Sequence, residues 1–179
     1  EDSNAENVDK IQMPLSEYCI GIMAREIPAA YEEEALKTQA VLVRTQVCLA
    51  LGAGADTILE ERYRTKKDMQ DSWGADKYSK YYKRLEHAWE ETNGQVLTYE
   101  NKLAKTPFCR LSNGSTRDGR EALGSEDYPY LKIVDCPLDI ESKEQIQTIT
   151  IDDMDAEVTG VDTAGYVLSV RIGNDTVSG

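Results

Sequence analysis

The sequence predicts an α+β fold in which a helical N-terminal part packs on a mainly antiparallel, β-rich part. Two observations carry that reading. Apolar residues recur at helical spacing up to about Thr92, and after Gly94 the period shortens to two. Helices also come first and strands later, with none of the strand–helix alternation that a parallel sheet needs. A chain of 179 residues with 40% hydrophobic residues has room for one compact domain or two small ones.

Residues 1–12 are polar and acidic and read as a flexible segment ahead of a domain spanning 13–179. Leu15, Tyr18, Cys19, Ile22 and Met23 then recur at helical spacing, which predicts a helix from Pro14 to about Arg25, interrupted by Pro28. Glu32, Glu33 and Glu34 follow as an acidic first turn, where the helix dipole favours them. Behind them Ala35, Leu36, Gln39, Ala40, Val43, Val47 and Leu51 form an apolar face that stops at Gly52. Residues 53–75 have weak periodicity and read as an irregular excursion with a single short helical turn.

Tyr78, Tyr81, Tyr82, Leu85, Ala88 and Trp89 predict a helix over 76–92, with Asp76 as N-cap and Gly94 as its stop. Residues 95–99 and 103–111 read as two strands joined by a tight turn at Glu100-Asn101-Lys102. The segment 112–129 is rich in Gly, Ser, Asp and Arg and reads as a functional loop. Residues 131–134, 146–151 and 166–172 are strand candidates, the last after a Thr163-Ala164-Gly165 turn.

Charge narrows the range of partners. With 20 Lys+Arg against 33 Asp+Glu the formal net charge is −13. A field of that sign opposes the phosphate neutralisation that drives nucleic-acid binding, so no nucleic-acid partner is expected. No apolar run approaches the roughly 20 residues of a membrane helix. Cys19, Cys48, Cys109 and Cys136 lie far apart with no C-x-x-C pair, so neither a zinc ribbon nor a thioredoxin motif is present. The start of the chain carries no basic region followed by an apolar stretch, which fits a cytosolic chain or one whose targeting segment is gone.

Two places could carry chemistry. Glu26, at a helix end against Pro28 with apolar neighbours on both sides, could be partly desolvated and so act as a proton donor near neutral pH. The alternative is a solvated glutamate paired with Arg25 or a nearby lysine. The loop Phe108-Cys109-Arg110-Leu111-Ser112-Asn113-Gly114-Ser115-Thr116 could present N–H and O–H groups to a sugar or a carboxylate, or be an ordinary hairpin loop. The single histidine, His87, falls within a helix and reads as structural, so a Ser/His/Asp triad lacks its base.

Several of these motifs resemble one family. Pro14-Leu15-Ser16-Glu17-Tyr18, Ala24-Arg25-Glu26-Ile27-Pro28 and Glu34-Ala35-Leu36-Lys37-Thr38-Gln39-Ala40-Val41-Leu42-Val43-Arg44-Thr45 are similar, in the same order, to signatures of the stage II sporulation protein D family. Thr92 to Tyr99, Ser112 to Thr116, Tyr128-Pro129-Tyr130-Leu131 and Ala164-Gly165-Tyr166-Val167 continue the match, which covers about residues 13–179. The resemblance implies a peptidoglycan lytic transglycosylase that cleaves the bond between N-acetylmuramic acid and N-acetylglucosamine and leaves 1,6-anhydro ends. It places the catalytic glutamate on Glu26, and Arg44, Ser112, Asn113, Gly114 and Thr116 near the substrate. For Arg44 the alternative is an ion pair to an acid of the helices.

The resemblance also implies that the substrate and partners are peptidoglycan glycan strands and other wall hydrolases. No cofactor is required. The expected location is extracytoplasmic, facing the cell wall, by way of an anchor or signal ahead of Glu1. Cys109 stands where many relatives carry a histidine, Asn113-Gly114 replaces a frequent Gly-Gly, and Gln46 replaces an aromatic residue. Cys109 and Cys136 could form a disulfide, lend thiolates to a metal, or remain two unpaired buried thiols. The chain ends just short of the family's closing segment. A second function stays open beside the enzyme: a non-catalytic wall-binding or amidase-enhancing module. Because both protein and wall are anionic, either function would recognise glycan through short-range hydrogen bonds in a cleft, with Arg44 a local positive spot.

Overall fold

The computed structural model describes residues 11–52, 58–59, 62–142 and 155–179, and the chain divides into two compact units, Glu1–Thr106 and Pro107–Gly179. The mixed α+β class is as the sequence predicts, with four helices and a small hairpin in the first unit and a three-stranded sheet in the second. Among the described residues no helix is long and apolar enough to cross a membrane.

In the first unit α1 spans Leu15–Glu26, and the run from Tyr18 to Ala24 is buried on every side. It can be buried all round because it has few polar groups to hydrate there and three covers: α2, α4 and the chain at 62–65. That last segment lies directly on the helix. Arg64 N–H donates to the Gly21 carbonyl at 3.0 Å, and a Cβ on Gly21 would stand 2.5 Å from the Arg64 oxygen. Only glycine fits at 21. Arg25 Nη1 adds a bond to the Arg62 carbonyl at 3.1 Å. Helix α1 ends at Glu26 because Ile27 precedes Pro28 and is driven to an extended conformation, φ −126°, ψ 139°.

Helix α2 spans Glu33–Leu51, with Glu33 and Glu34 in the first turn as predicted and Lys37 paired to both, at 2.9 and 3.1 Å. Leu36, Ala40, Val43 and Val47 face the core, which Ile20, Ile22, Met23, Met69, Leu85 and Ala88 complete. Gln39, Arg44 and Thr45 are buried among them although polar.

The excursion over 53–75 contains a full helix, α3 Lys66–Trp73, where only a single turn is expected from the sequence. It starts at a reciprocal cap: Thr65 accepts from Asp68 N–H while Asp68 accepts from Thr65 N–H. Helix α4 spans Ala75–Glu91. Its N-cap is Gly74 and not Asp76. Gly74 at φ +76° both ends α3 and opens α4, which leaves Asp76 inside the first turn. Gly94 sits at φ +74° just past the Thr92 cap, as a helix stop does.

The hairpin is shorter than the sequence suggests: β1 Thr98–Tyr99 pairs with β2 Lys102–Leu103. Glu100 and Asn101 make the turn with φ of +48° and +62°, so Lys102 belongs to the strand. Before β1 the backbone turns to other partners: Gln95 C=O accepts from Arg44 and Leu97 N–H donates to Thr45 Oγ1, while Leu97 C=O still accepts from Ala104 N–H at 3.0 Å. Past Ala104 the ladder ends, and Pro107 could not have donated to it.

In the second unit, α5 Gly119–Leu123 interrupts the segment expected to be all loop. Asp118 caps its N-terminus and Gly124 closes it in a left-handed conformation. Residues 131–134 form no strand; they run beside 114–119 through single bonds and one bridge, Ser115 with Asp135. The sheet is an antiparallel meander of β3 Ala156–Val161, β4 Val167–Ile172 and β5 Asp175–Ser178. The expected strand 166–172 is β4. The turn before it is held by Asp162, whose carboxylate accepts from Ala164 and Tyr166 N–H. The strand candidate 146–151 and most of the polar segment 1–12 lie outside the described residues.

Candidate active site

Glu26 ends α1, and its Oε2 accepts from Gln39 Nε2 at 2.5 Å. Burial explains why the pair is placed there. Glu26 is half-buried against α2, whereas Gln39 is only 3% exposed and would be costly without a partner. The amide therefore fixes the carboxyl in one orientation. It also suits both protonation states, since its NH2 serves a carboxylate and, turned over, its C=O serves a carboxylic acid. The sequence does not single out Gln39 as a partner of Glu26: it counts there as one position of an apolar face. The signal was a polar residue at a core position of α2, thirteen residues after the glutamate.

Arg44 has a different task. It is 7% exposed, and its Nη1 donates to Thr92 C=O at 2.7 Å, Thr92 Oγ1 at 3.1 Å and Gln95 C=O at 3.3 Å. Nη2 donates to Trp89 C=O at 2.7 Å, and the guanidinium lies 3.9 Å from the centre of the Trp89 ring. Trp89 and Thr92 lie at the C-terminal end of α4, where carbonyls run out of helical partners, and Gln95 lies just beyond it, so Arg44 acts as a C-terminal cap delivered from α2. These contacts are not the ion pair with an acid that the sequence leaves open as the alternative for Arg44. Burial lowers its pKa from the ordinary value, and arginine stays charged nonetheless. Nearby Cys19 is fully buried, and desolvation pushes its thiol up to about 12, so it is inert packing.

The loop residues belong to the second unit. Ser112 is buried and donates to Asp139 Oδ2 through both N–H, at 2.8 Å, and Oγ, at 2.6 Å. With its proton given to Asp139, that hydroxyl can only accept from a ligand. Thr116 Oγ1 donates to Lys132 C=O at 3.1 Å and accepts from Val134 N–H at 2.9 Å. Tyr166 OH accepts from Asn113 N–H at 2.7 Å and donates to Ser115 C=O at 2.8 Å. Gly114 turns the chain at φ +87°. The loop is thus rigid and its hydroxyls hold it together; of residues 112–116, Asn113 is the one with an exposed side chain.

The bonds from the Ser112 hydroxyl and then its N–H hold the Asp139 carboxyl below its usual pKa, against the opposing effect of burial. Because the folded value is depressed, the stabilisation is complete above about pH 4 and is lost as pH falls through that depressed value. The Ser112 amide resonance should therefore stay constant from pH 7 to about 4 and then move on further acidification. Substituting Asp139→Asn should remove the titration. If the titration persists in that variant, another group is responsible.

All four cysteines are free thiols in this structure. Cys109 is exposed and Cys136 half-buried, so they are not a buried pair; Cys109 Sγ contacts its neighbour Leu111 C=O at 3.1 Å. Among the described residues no three His, Cys, Asp or Glu side chains gather as metal ligands would. His87 lies exposed on α4 with Nε2 3.6 Å from Glu33 Oε1, a surface contact.

The helix-end glutamate followed by the long α2 signature lies in the stretch that a protein-family profile matches. The profile described as "Stage II sporulation protein" matches residues 3–99. The chain belongs to the stage II sporulation protein D family. It is 32% identical over 183 aligned positions to "Stage II sporulation protein D" of Bacillus amyloliquefaciens, covering 93% of this chain and 53% of that protein. It is 34% identical over 149 positions to the protein of the same name from Bacillus subtilis (strain 168), covering 77% and 43%. The chain thus spans about half the length of these relatives.

Proposed function

We propose that the protein is a lytic transglycosylase acting on peptidoglycan glycan strands outside the cytoplasm, with Glu26 as its one acid/base. The observation that carries this is the Glu26–Gln39 pair, a half-buried carboxyl oriented by a buried amide. In the first step the Glu26 carboxylic acid protonates the glycosidic oxygen as the bond from muramyl C1 to that oxygen breaks. In the second, the resulting carboxylate takes the proton of the muramyl C6 hydroxyl as its oxygen bonds to C1. The anhydro ring closes and the carboxyl is regenerated. No water is consumed, so the second carboxylate of a glycoside hydrolase is not needed. Gln39 suits this cycle because it can partner Glu26 before and after proton transfer.

The test is product analysis by mass spectrometry after incubation with purified peptidoglycan. Anhydromuramyl ends support the proposal, and reducing ends would mean hydrolysis. Binding to glycan with no cleavage would favour the non-catalytic wall-binding or amidase-enhancing module.

Gln39→Leu should separate orientation from folding. Leucine fills the space at this core position, so the melting temperature should change little. The carboxyl loses its fixed direction, and kcat should fall by a factor on the order of 100 with an altered pH profile. An unchanged kcat and pH profile would mean that Gln39 merely packs.

A further inference from the structure

Tyr31 lies in the turn that links α1 to α2, five residues after Glu26, and its side chain is 44% exposed. An exposed tyrosine alone means little. What sets this one apart is that its backbone is fixed while its ring is not among the side chains packed on the hydrophobic core. Its N–H donates to Pro28 C=O at 3.0 Å. Arg84, reaching over from α4, donates from Nη2 to Tyr31 C=O at 2.5 Å and from Nη1 to Ala30 C=O at 3.5 Å. Ile27 and Ala29 anchor the same turn in the core, at 8% and 3% exposed. Among the described residues no ring-to-ring contact involves Tyr31. The fold thus holds a flat amphipathic ring at the surface of the turn that carries Glu26 on its other end.

We infer that Tyr31, positioned by Arg84, is a sugar-stacking subsite that takes a pyranose ring of a glycan strand at some distance from the bond Glu26 acts on. This rests on the reading of the protein as glycan-cleaving. A pyranose has one face of axial C–H groups, which packs on the electron-rich face of an aromatic ring, while the phenol can hydrogen-bond a neighbouring hydroxyl. Tyrosine is suited to this because it offers a rigid contact with only two side-chain torsions to freeze. The spacing argues against contact with the reacting sugar itself. Glu26 is held by Gln39, and Gln39 lies six residues into α2 from Glu33, or about 9 Å along the axis from the end of the helix where Tyr31 sits. Tyr31 would therefore supply binding energy from a remote part of the strand.

The experiment uses the Glu26→Gln protein, so that cleavage does not deplete the ligand, and titrates it calorimetrically with peptide-free oligosaccharides of N-acetylglucosamine and N-acetylmuramic acid of increasing length. Adding Tyr31→Ala should weaken binding of the longer oligosaccharides about tenfold and leave the shortest unaffected. Tyr31→Trp should restore it. Arg84→Ala should weaken the same long ligands through the loosened turn, without a change for the shortest. As a check that survives any loss of stability in these variants, the ring carbons of Tyr31, isotope-labelled in the intact ring, should shift on addition of the long oligosaccharide. If Tyr31→Ala binds long strands as tightly as its parent and the ring signals do not move, this subsite is wrong while the proposed function stands. If the Glu26→Gln parent binds no oligosaccharide of any length, the glycan reading itself fails.

Discussion

Glu26→Gln is expected to abolish the release of 1,6-anhydromuramyl ends from peptidoglycan while leaving the protein folded. Acid/base catalysis by one positioned group typically contributes a factor of about 100 to 10,000, and here the same group is asked to give a proton and then take one. The amide can do neither. Glutamine keeps the length and nearly the volume of glutamate, and Gln39 can still hydrogen-bond to it, so the change in stability should stay within about 1 kcal/mol. Glu26→Asp should behave differently: it keeps the carboxyl but withdraws it by one methylene, and a misplacement of that size costs about 100-fold. Mass spectrometry of the products and thermal melting of each variant give the two readouts. Full activity in Glu26→Gln would remove the glutamate from the mechanism. Loss of activity together with loss of folding would show the residue to be a support for the end of α1.

The helices of the first unit were legible because each combines a strong period with clear boundaries. Pro28 ends α1, the three glutamates open α2, and Gly94 closes the turn after α4. Helix α3 was hard to read because its eight residues bury only Met69 fully, so no apolar face stands out. The readable signal was its cap, Thr65 with Asp68, where aspartate takes the place of the usual glutamate. The strands β3 and β5 were missed for similar reasons. Gly160 breaks the alternation of β3, and β5 is four exposed residues whose best sign is the Gly173-Asn174 turn before it, with Gly173 at φ +58°.

The candidate site was legible in its chemistry and not in its contacts. A glutamate caught between a helix end and a proline is a local feature, visible in the chain from 23 to 28. Its partner is not local. Gln39 meets Glu26 only because α1 and α2 pack side by side, and nothing in the spacing of one helix reports the face of another. The same holds for the loop hydroxyls of Ser112 and Thr116, whose partners Asp139, Lys132 and Val134 are 16 to 27 residues away. Hydroxyls that look available in a polar sequence are the ones a rigid loop consumes in satisfying itself.

Arg44→Met should produce the largest loss of stability of any single change considered, at about 3 kcal/mol or more. Methionine matches the aliphatic stem and removes the four hydrogen bonds that Arg44 donates to Trp89, Thr92 and Gln95. Thr92 C=O keeps a donor in Gln95 N–H at 3.0 Å and Gln95 itself is exposed, but Trp89 C=O loses its 2.7 Å partner, and each bond to the charged guanidinium contributes about 1.5–3 kcal/mol. The contact with the Trp89 ring is lost as well. Denaturant midpoints at constant slope would show the loss, with a fall in melting temperature on the order of 10 °C. Arg44→Lys should recover only part of it, because one ammonium cannot span carbonyls on both sides of the cap as the planar guanidinium does. The same variant discriminates between the two uses of an arginine in a glycan-binding protein. A residue whose main work is to hold substrate can be removed at a stability cost within about 0.5 kcal/mol, with the effect appearing in binding. If Arg44→Met melts like the parent and fails to bind glycan, the arginine faces substrate. If it melts early, its charge is spent inside the fold, and the positive spot that an anionic glycan would meet must come from elsewhere on the surface.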